Sequence, residues 1–358
     1  MGVVDLVAAL AKVLVVIGAI QMVVGGMSWV ERRGSAIIQL RRGPNRVGPF
    51  GVLQPLADGI KFLWKEDIVP PFTHRPTFIL APVVAFFAST MTFAILPFGG
   101  TASWEGHDIP LVIADIDAGV LFMLAVSSLG VYGIIMAGWA SNSKYSQLGG
   151  LRSASQMISY ELALGLAVIA AVVMCGSLRP YDIVIAQAEA PARLLGLVTV
   201  PYLPNWYVFA NPLGFLLLLV AIFAEANRLP FDLPEAETEL VAGYHTEYSS
   251  MKFLMFMMAE YTAMIAGAAL LVTLYLGGYS VPQVVQRALS LEGNWLAAAE
   301  MAVFAAKIGF FMWLFVWVRW TLPRFRFDQL LRLGWKALVP MGLFVVIWAG
   351  LLAARGWV

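Results

Sequence analysis

The stretch EANRLPFDLPEAETELVAGYHTEY, residues 225–248, lies between two of the most apolar runs of a 358-residue chain. It holds six carboxylates, Glu225, Asp232, Glu235, Glu237, Glu239 and Glu247, against one arginine, Arg228. The whole chain has 22 acidic residues, so more than a quarter of them are packed here. Pro230 and Pro234 disfavour a long helix through the segment. A helix would put Glu235 and Glu239 on one face and Glu237 across from them, so an irregular, partly inserted loop is the expected form instead. Such backbone is tolerated at membrane depth where protein buries it or where it lines a wet cavity. Crowded, partly buried carboxylates raise one another's proton affinity. That suits a proton or cation path; a solvated acidic loop is the plainer alternative. His245 reads as a capping or hydrogen-bonding residue rather than a ligand.

Outward from this loop the chain is lipid-loving. Hydrophobic residues make up 60% of it and charged residues 13%, with a mean hydropathy of +0.80. Soluble domains carry about 25% charged and 45–50% apolar residues, so this is an integral membrane protein. A net charge of +1 argues against a polyanionic partner such as nucleic acid. The single cysteine, Cys175, offers no disulfide and no iron–sulfur spacing, and the three histidines are scattered. No metal or redox centre is expected in this chain; any electrons must be carried by another.

Apolar runs of about 20 residues predict eight spans, near 4–30, 76–98, 116–139, 157–178, 209–226, 250–277, 297–320 and 337–354. The expected fold is an all-α integral membrane protein, one membrane domain over 1–358. The first run lacks the basic flank of a signal peptide and reads as a retained span. Lysine and arginine placement sets the orientation: 17 lie on the side of the acidic loop and four, Arg179, Arg193, Arg287 and Arg355, on the other. That bias puts the acidic loop in the cytoplasm and both termini outside. Between spans, about 50–65, Leu53, Leu56, Ala57, Ile60, Leu63 and Trp64 form one helical stripe, with Asp58, Lys61 and Lys65 off it. This is an amphipathic helix at the interface, either a bare surface anchor or part of a site.

Of the charges inside the spans, Glu161, Glu225, Glu260 and Lys307 most need a reason. Mid-bilayer charges cost about 2.5–3.5 kcal/mol on insertion scales, and they line wet paths or pair with one another. A structural ion pair with a facing carboxylate is the plain alternative for Lys307.

Two further segments sharpen the reading. They are ERRGSAIIQLRRGPNRVGPFGVLQPLADGIKFLWKED (31–67) and RWTLPRFRFDQLLRLGWK (319–336). With the acidic loop, which runs on through SSMKF and MAEY, they closely resemble the signature segments of one membrane-subunit family of respiratory complex I. That family is the bacterial equivalent of mitochondrial NADH dehydrogenase subunit one. The likeness covers nearly the whole chain; 179–208 is its least family-like part, and Val52 stands where leucine is common. The resemblance implies a membrane subunit of proton-pumping NADH-quinone oxidoreductase, a non-redox part of that enzyme. It implies a place at the heel of the membrane arm, beside small membrane subunits and under the quinone-site subunits of a hydrophilic arm. Flavin and iron–sulfur clusters would belong to those partners, and quinone (ubiquinone in many members) would be the substrate. By the same resemblance, Glu31, Arg32, Arg41, Asp58, Lys61, Arg319 and Arg324 would line the charged part of a quinone tunnel. Glu161, Glu225, Asp232, Glu235, Glu237, Glu239, Glu260 and Tyr261 would begin a proton path.

Three rivals compete for the same residues. Energy-converting hydrogenases have a homologous subunit with a similar acidic loop, but the GPNRVGPFGVLQPLADGIKFLWKED segment (43–67) favours the quinone enzyme. A stand-alone transporter would be expected to show inverted repeats with interrupted helices, which the sequence does not. A purely structural anchor leaves Glu260 and Lys307 without a reason.

Overall fold

In lipid, backbone hydrogen bonds must close within a segment, so long apolar runs become helices. The computed structural model describes residues 3–356 apart from 105–106, 190, 196–197, 283–284, 287–289 and 291. Arg287 therefore lies outside the described residues, as does the side chain of Glu237. The helices are α1 (Val3–Ile38), α2 (Gln54–Trp64), α3 (Arg75–Met91), α4 (Gly119–Ala140), α5 (Lys144–Cys175), α6 (Pro180–Glu189) and α7 (Pro212–Glu225). They continue as α8 (Ser250–Tyr275), α9 (Gly293–Thr321), α10 (Phe327–Leu333) and α11 (Val339–Ala354), the last two joined by a π-helical turn. Two short hairpins, Thr101–Trp104 with His107–Pro110 and Pro191–Leu194 with Val198–Pro204, decorate one end.

Seven of these helical stretches are long and apolar enough to cross a membrane, which makes the chain a multi-pass membrane protein. The fifth apolar run, 209–226, is shorter than its hydropathy suggests. α7 has 14 residues, about 21 Å at 1.5 Å per residue, against a hydrocarbon core of about 30 Å. Asn211 and Pro212 cut it off from the separate turn Tyr207–Ala210, and the Asn211 side chain accepts a hydrogen bond from the Gly214 N–H at 3.1 Å as its cap. Other helices outrun their apolar windows. α1 carries on through Glu31, Arg32 and Arg33, and α5 begins at Lys144, well ahead of 157.

α5 is packed against α4, α7 and α11, while α8 is packed against α3, α7, α9 and α1. Small residues permit the closest approach: a Cβ on Gly133 of α4 would sit 2.7 Å from the Cβ of Ala85 on α3. At one end α2 lies across α1 and α8. The Ser250 hydroxyl donates to the carbonyls of Phe62 (2.9 Å) and Lys65 (3.0 Å), and Lys252 pairs with Asp67 at 2.7 Å, fastening the exit of α2 to the start of α8.

The opposite end is held by a different kind of polar knot. Buried Gln187 donates to the carbonyls of Ile183 (3.1 Å) and Thr273 (3.0 Å) and accepts from the N–H groups of Tyr207 (3.2 Å) and Gly277 (2.9 Å). Lys307 donates to the Leu276 and Gly278 carbonyls, each at 2.8 Å, and lies 4.6 Å over the Trp206 ring. Its partners are the carbonyls at the C-terminal end of α8, which carry partial negative charge. Among the described residues no carboxylate pairs with Lys307, the plain alternative from sequence.

Candidate functional site

The acidic loop is irregular and interior. After α7, Asn227 turns the chain at a φ of 49°, and Ala236 at 29° breaks the backbone just ahead of a single helical turn, Glu237–Leu240. Phe231, Leu233, Leu240 and Tyr244 are 4%, 0%, 3% and 4% exposed, so apolar side chains hold the loop inside the bundle. Gly243, at a φ of 59°, lets it fold back on itself: a Cβ there would collide with the Pro234 carbonyl oxygen.

Four elements then bring charges together. Glu31 of α1 accepts from the Tyr261 hydroxyl at 2.5 Å and pairs with Arg319 at the end of α9. The Arg228 guanidinium, from the loop, reaches the same Glu31 oxygen as Arg319 at 3.5 Å and Glu260 of α8 at 2.8 Å. It also lies 4.5 Å over the Tyr261 ring. Burial disfavours the Arg228 charge, but Glu260, Tyr261 and Glu235 outweigh it and raise its proton affinity, so Arg228 remains a cation. Beside this group Arg324 pairs with Asp232 at 2.7 Å. Burial first, and then Glu235, still push Asp232 up to about 7, against the pull of Arg324 and Arg228. Its second oxygen, Oδ1, finds no hydrogen-bond donor among the described residues. Burial, with Glu235, Glu260 and Asp232 nearby, pushes Tyr244 well above its ordinary value, so its hydroxyl keeps the proton.

Against these carboxylates lies a cavity of about 80 Å³ lined by Glu225, Asn227, Glu235, Tyr244 and Glu260, with Ser89, Thr92 and Ser127 among small and apolar residues. A water needs about 10–15 Å³ of such space and two to four polar partners, so several waters fit. Glu225 lies beside Ser127 and within electrostatic reach of Glu161.

The remaining residues singled out from sequence are spread around this centre. Arg32 pairs with Asp58 at 2.5 Å, and Gln54 donates to the other Asp58 oxygen at 2.8 Å, which ties α2 to α1. Arg41 is exposed in the turn after α1, donating to Gln39 at 2.7 Å, and Lys61 is exposed on α2. Glu235 stands 3.8 Å from His245. Glu239, 46% exposed, pairs with Arg152 at 2.5 Å and does not line the cavity. The two sets expected from the resemblance interlock: Glu31 meets Tyr261, and Arg324 meets Asp232. Sequence reasoning missed Arg228 as a member. Its signal was there, as the one basic residue among six acids. Among the described residues no cluster of three or more His, Cys, Asp or Glu is placed to hold a metal ion.

Comparison with known proteins agrees with the resemblance. The family model described as NADH dehydrogenase matches residues 11–350. A NADH-quinone oxidoreductase subunit from Thermomicrobium roseum is 49% identical over 330 residues, covering 92% of this chain and 91% of the relative. Its counterpart of the same name in Leptospira biflexa is 47% identical over 340 residues, covering 91% and 90%. NADH-quinone oxidoreductase subunit 8 of Rhodothermus marinus is 48% identical over 336 residues, covering 93% of each. With one family matched over almost its whole length and relatives that all bear that enzyme's name, the chain belongs to the NADH dehydrogenase family, as a membrane subunit of complex I.

Proposed function

We propose that this chain admits quinone from the bilayer to a reduction site shared with hydrophilic partner subunits, and that it begins the proton path which that reduction drives. The observation that carries the reading is the cavity lined by Glu225, Glu235 and Glu260, set against the Glu31–Arg228–Arg319 cluster. Reduction of quinone to quinol consumes two electrons and two protons. The electrons come from flavin and iron–sulfur clusters in the partners; this chain supplies field and shape. Glu31, Arg32, Arg41, Asp58, Lys61, Arg319 and Arg324 form the charged stretch of the tunnel, with α2 at its mouth. A negative charge developing on the quinone attracts Arg319 and Arg324, and so alters the countercharge seen by Glu31 and Asp232. Waters in the cavity connect Glu235 and Glu260 at the near end with Glu225 at the far end, Asp232 lying near Glu235 and Glu161 near Glu225. Glu239 stands outside the cavity, and Glu237 is assigned to the path by the resemblance alone. The isolated chain catalyses nothing by itself. It lies in the bacterial inner membrane with the acidic loop in the cytoplasm and both termini outside.

Glutamine has nearly the shape of a protonated glutamate but carries no proton to release. In sealed vesicles holding the assembled enzyme, Glu260→Gln is expected to assemble, with quinone reduction and proton pumping both falling steeply and pumping falling the further of the two. Glu260→Asp should retain more of both. Near-normal pumping by the glutamine variant contradicts the relay.

A further inference from the structure

We infer that Arg228 is the positioning residue that joins the two halves of this site, dividing one positive charge between Glu31 on the tunnel side and Glu260 on the cavity side. The inference rests on the tunnel-and-path reading above and adds the element that links them. Arg228, Glu31 and Glu260 have side chains 8%, 10% and 9% exposed, so water does little to screen their charges. The two carboxylates come from different helices and meet different atoms of the guanidinium: Nη1 faces Glu31 at 3.5 Å and Nε faces Glu260 at 2.8 Å.

Their needs are unequal. Glu31 also has Arg319 and the Tyr261 hydroxyl. For Glu260, Arg228 is the one cation within ion-pairing distance among the described residues, while Glu235 and Asp232 add negative charge nearby. The pairing is also unsaturated. Glu260 Oε2 and Arg228 Nη2 are buried without hydrogen-bond partners among the described residues, and the Nε contact to Glu260 is an ion pair without hydrogen-bond alignment, so donor and acceptor capacity is left for a second arrangement. The Tyr261 ring, 4.5 Å below the guanidinium, gives the planar cation a surface to slide along.

From these contacts a sequence follows. Charge developing in the tunnel draws Arg319 from Glu31; Glu31 then takes a larger share of Arg228; Glu260 loses the countercharge that Arg228 gave it. The path thus registers the tunnel's state through one side chain, with no contact between quinone and Glu260.

The test uses the assembled enzyme in sealed vesicles, with electron transfer from NADH to a soluble acceptor as the measure of assembly. Arg228→Lys keeps the charge but concentrates it on one ammonium, unable to serve both carboxylates. It is expected to assemble, to reduce quinone within about threefold of the parent, and to pump at least about twofold fewer protons per quinone. Combined with Glu260→Asp, it should lower the proton yield no further than the worse single variant, because the two act in one link. A parental proton yield from Arg228→Lys overturns the inference. So do losses that multiply in the double variant, or a failure of Arg228→Lys to assemble, which marks the arginine as structural. Near-normal pumping by Glu260→Gln is a different failure, of the relay on which the inference rests.

Discussion

Glu260 and Lys307 sit on the neighbouring helices α8 and α9, each a charge inside an apolar run, and their surroundings differ in kind. Lys307 is held by two backbone carbonyls and the face of Trp206. Those partners neither take nor give a proton, and the Gln187 knot beside them is likewise built on backbone groups. Glu260 meets a guanidinium, lies in a field of other carboxylates and borders a cavity with room for water. Both arrangements satisfy a buried charge. One fixes a helix end and the other leaves a set of groups whose charge can be redistributed. Depth in the membrane does not distinguish a relay from a lock; the chemistry of the partners does.

Orientation offers the largest effect with which to break this contrast, since it is all-or-none. The acid-rich end should face the cytoplasm and the Lys307 end should lie toward the outside. Gln147 and Asp117 are exposed at opposite ends. In a background lacking Cys175, a cysteine replacing Gln147 should be shielded from an impermeant reagent added outside, and one replacing Asp117 should react. The reverse labelling would turn the molecule over and place the acidic loop outside.

The tunnel assignment sharpens the contrast within the acid-rich end, because Asp58 and Arg41 lie outside the cavity. Asp58→Asn weakens the tie to Arg32, and Arg41→Ala removes an exposed charge at the turn after α1. Each is expected to slow quinone reduction by about tenfold, a barrier change of about 1.4 kcal/mol. NADH oxidation by an acceptor that bypasses quinone should survive. Equal loss of both activities would indicate failed assembly and leave these residues without a part in the tunnel.

A smaller effect concerns Asp232, outside the spans, which burial and Glu235 push up to about 7. A folded-state value above that of a free carboxylate means the fold prefers the neutral form. The stabilisation is complete below about pH 4 and is lost as pH rises toward about 7. Asp232→Asn stays neutral throughout and should flatten the fall in thermal midpoint across that window. An unchanged slope would show that Asp232 is already ionised across that window and contributes nothing to it.

How much of this was legible in the sequence follows from what each signal reports. Hydropathy measures contact with lipid, so it found the long spans but not where their helices stop. α1 runs on through Glu31, Arg32 and Arg33 because backbone hydrogen bonds continue past the apolar window. The run 209–226 looked like one span because Asn211 and Pro212 are too few to dent an average, though they break the helix. The acid loop was visible from its density of carboxylates and two prolines. Its pairings were not, since Glu31, Arg228, Glu260 and Arg319 meet only after four elements have packed. Glu239 was grouped with the path by the resemblance; tertiary packing turned it outward to Arg152.

The most direct test of the contrast compares protons pumped per NADH oxidised in sealed vesicles for Lys307→Met and Glu260→Gln, side by side. Lys307→Met removes two charge-assisted hydrogen bonds and should lower stability by about 1–3 kcal/mol, with the proton yield of the surviving enzyme unchanged. Glu260→Gln should leave an assembled enzyme that pumps poorly. If Lys307→Met lowers the proton yield as far as Glu260→Gln does, or if neither lowers it, the partners of a buried charge do not decide its role here and the central claim fails.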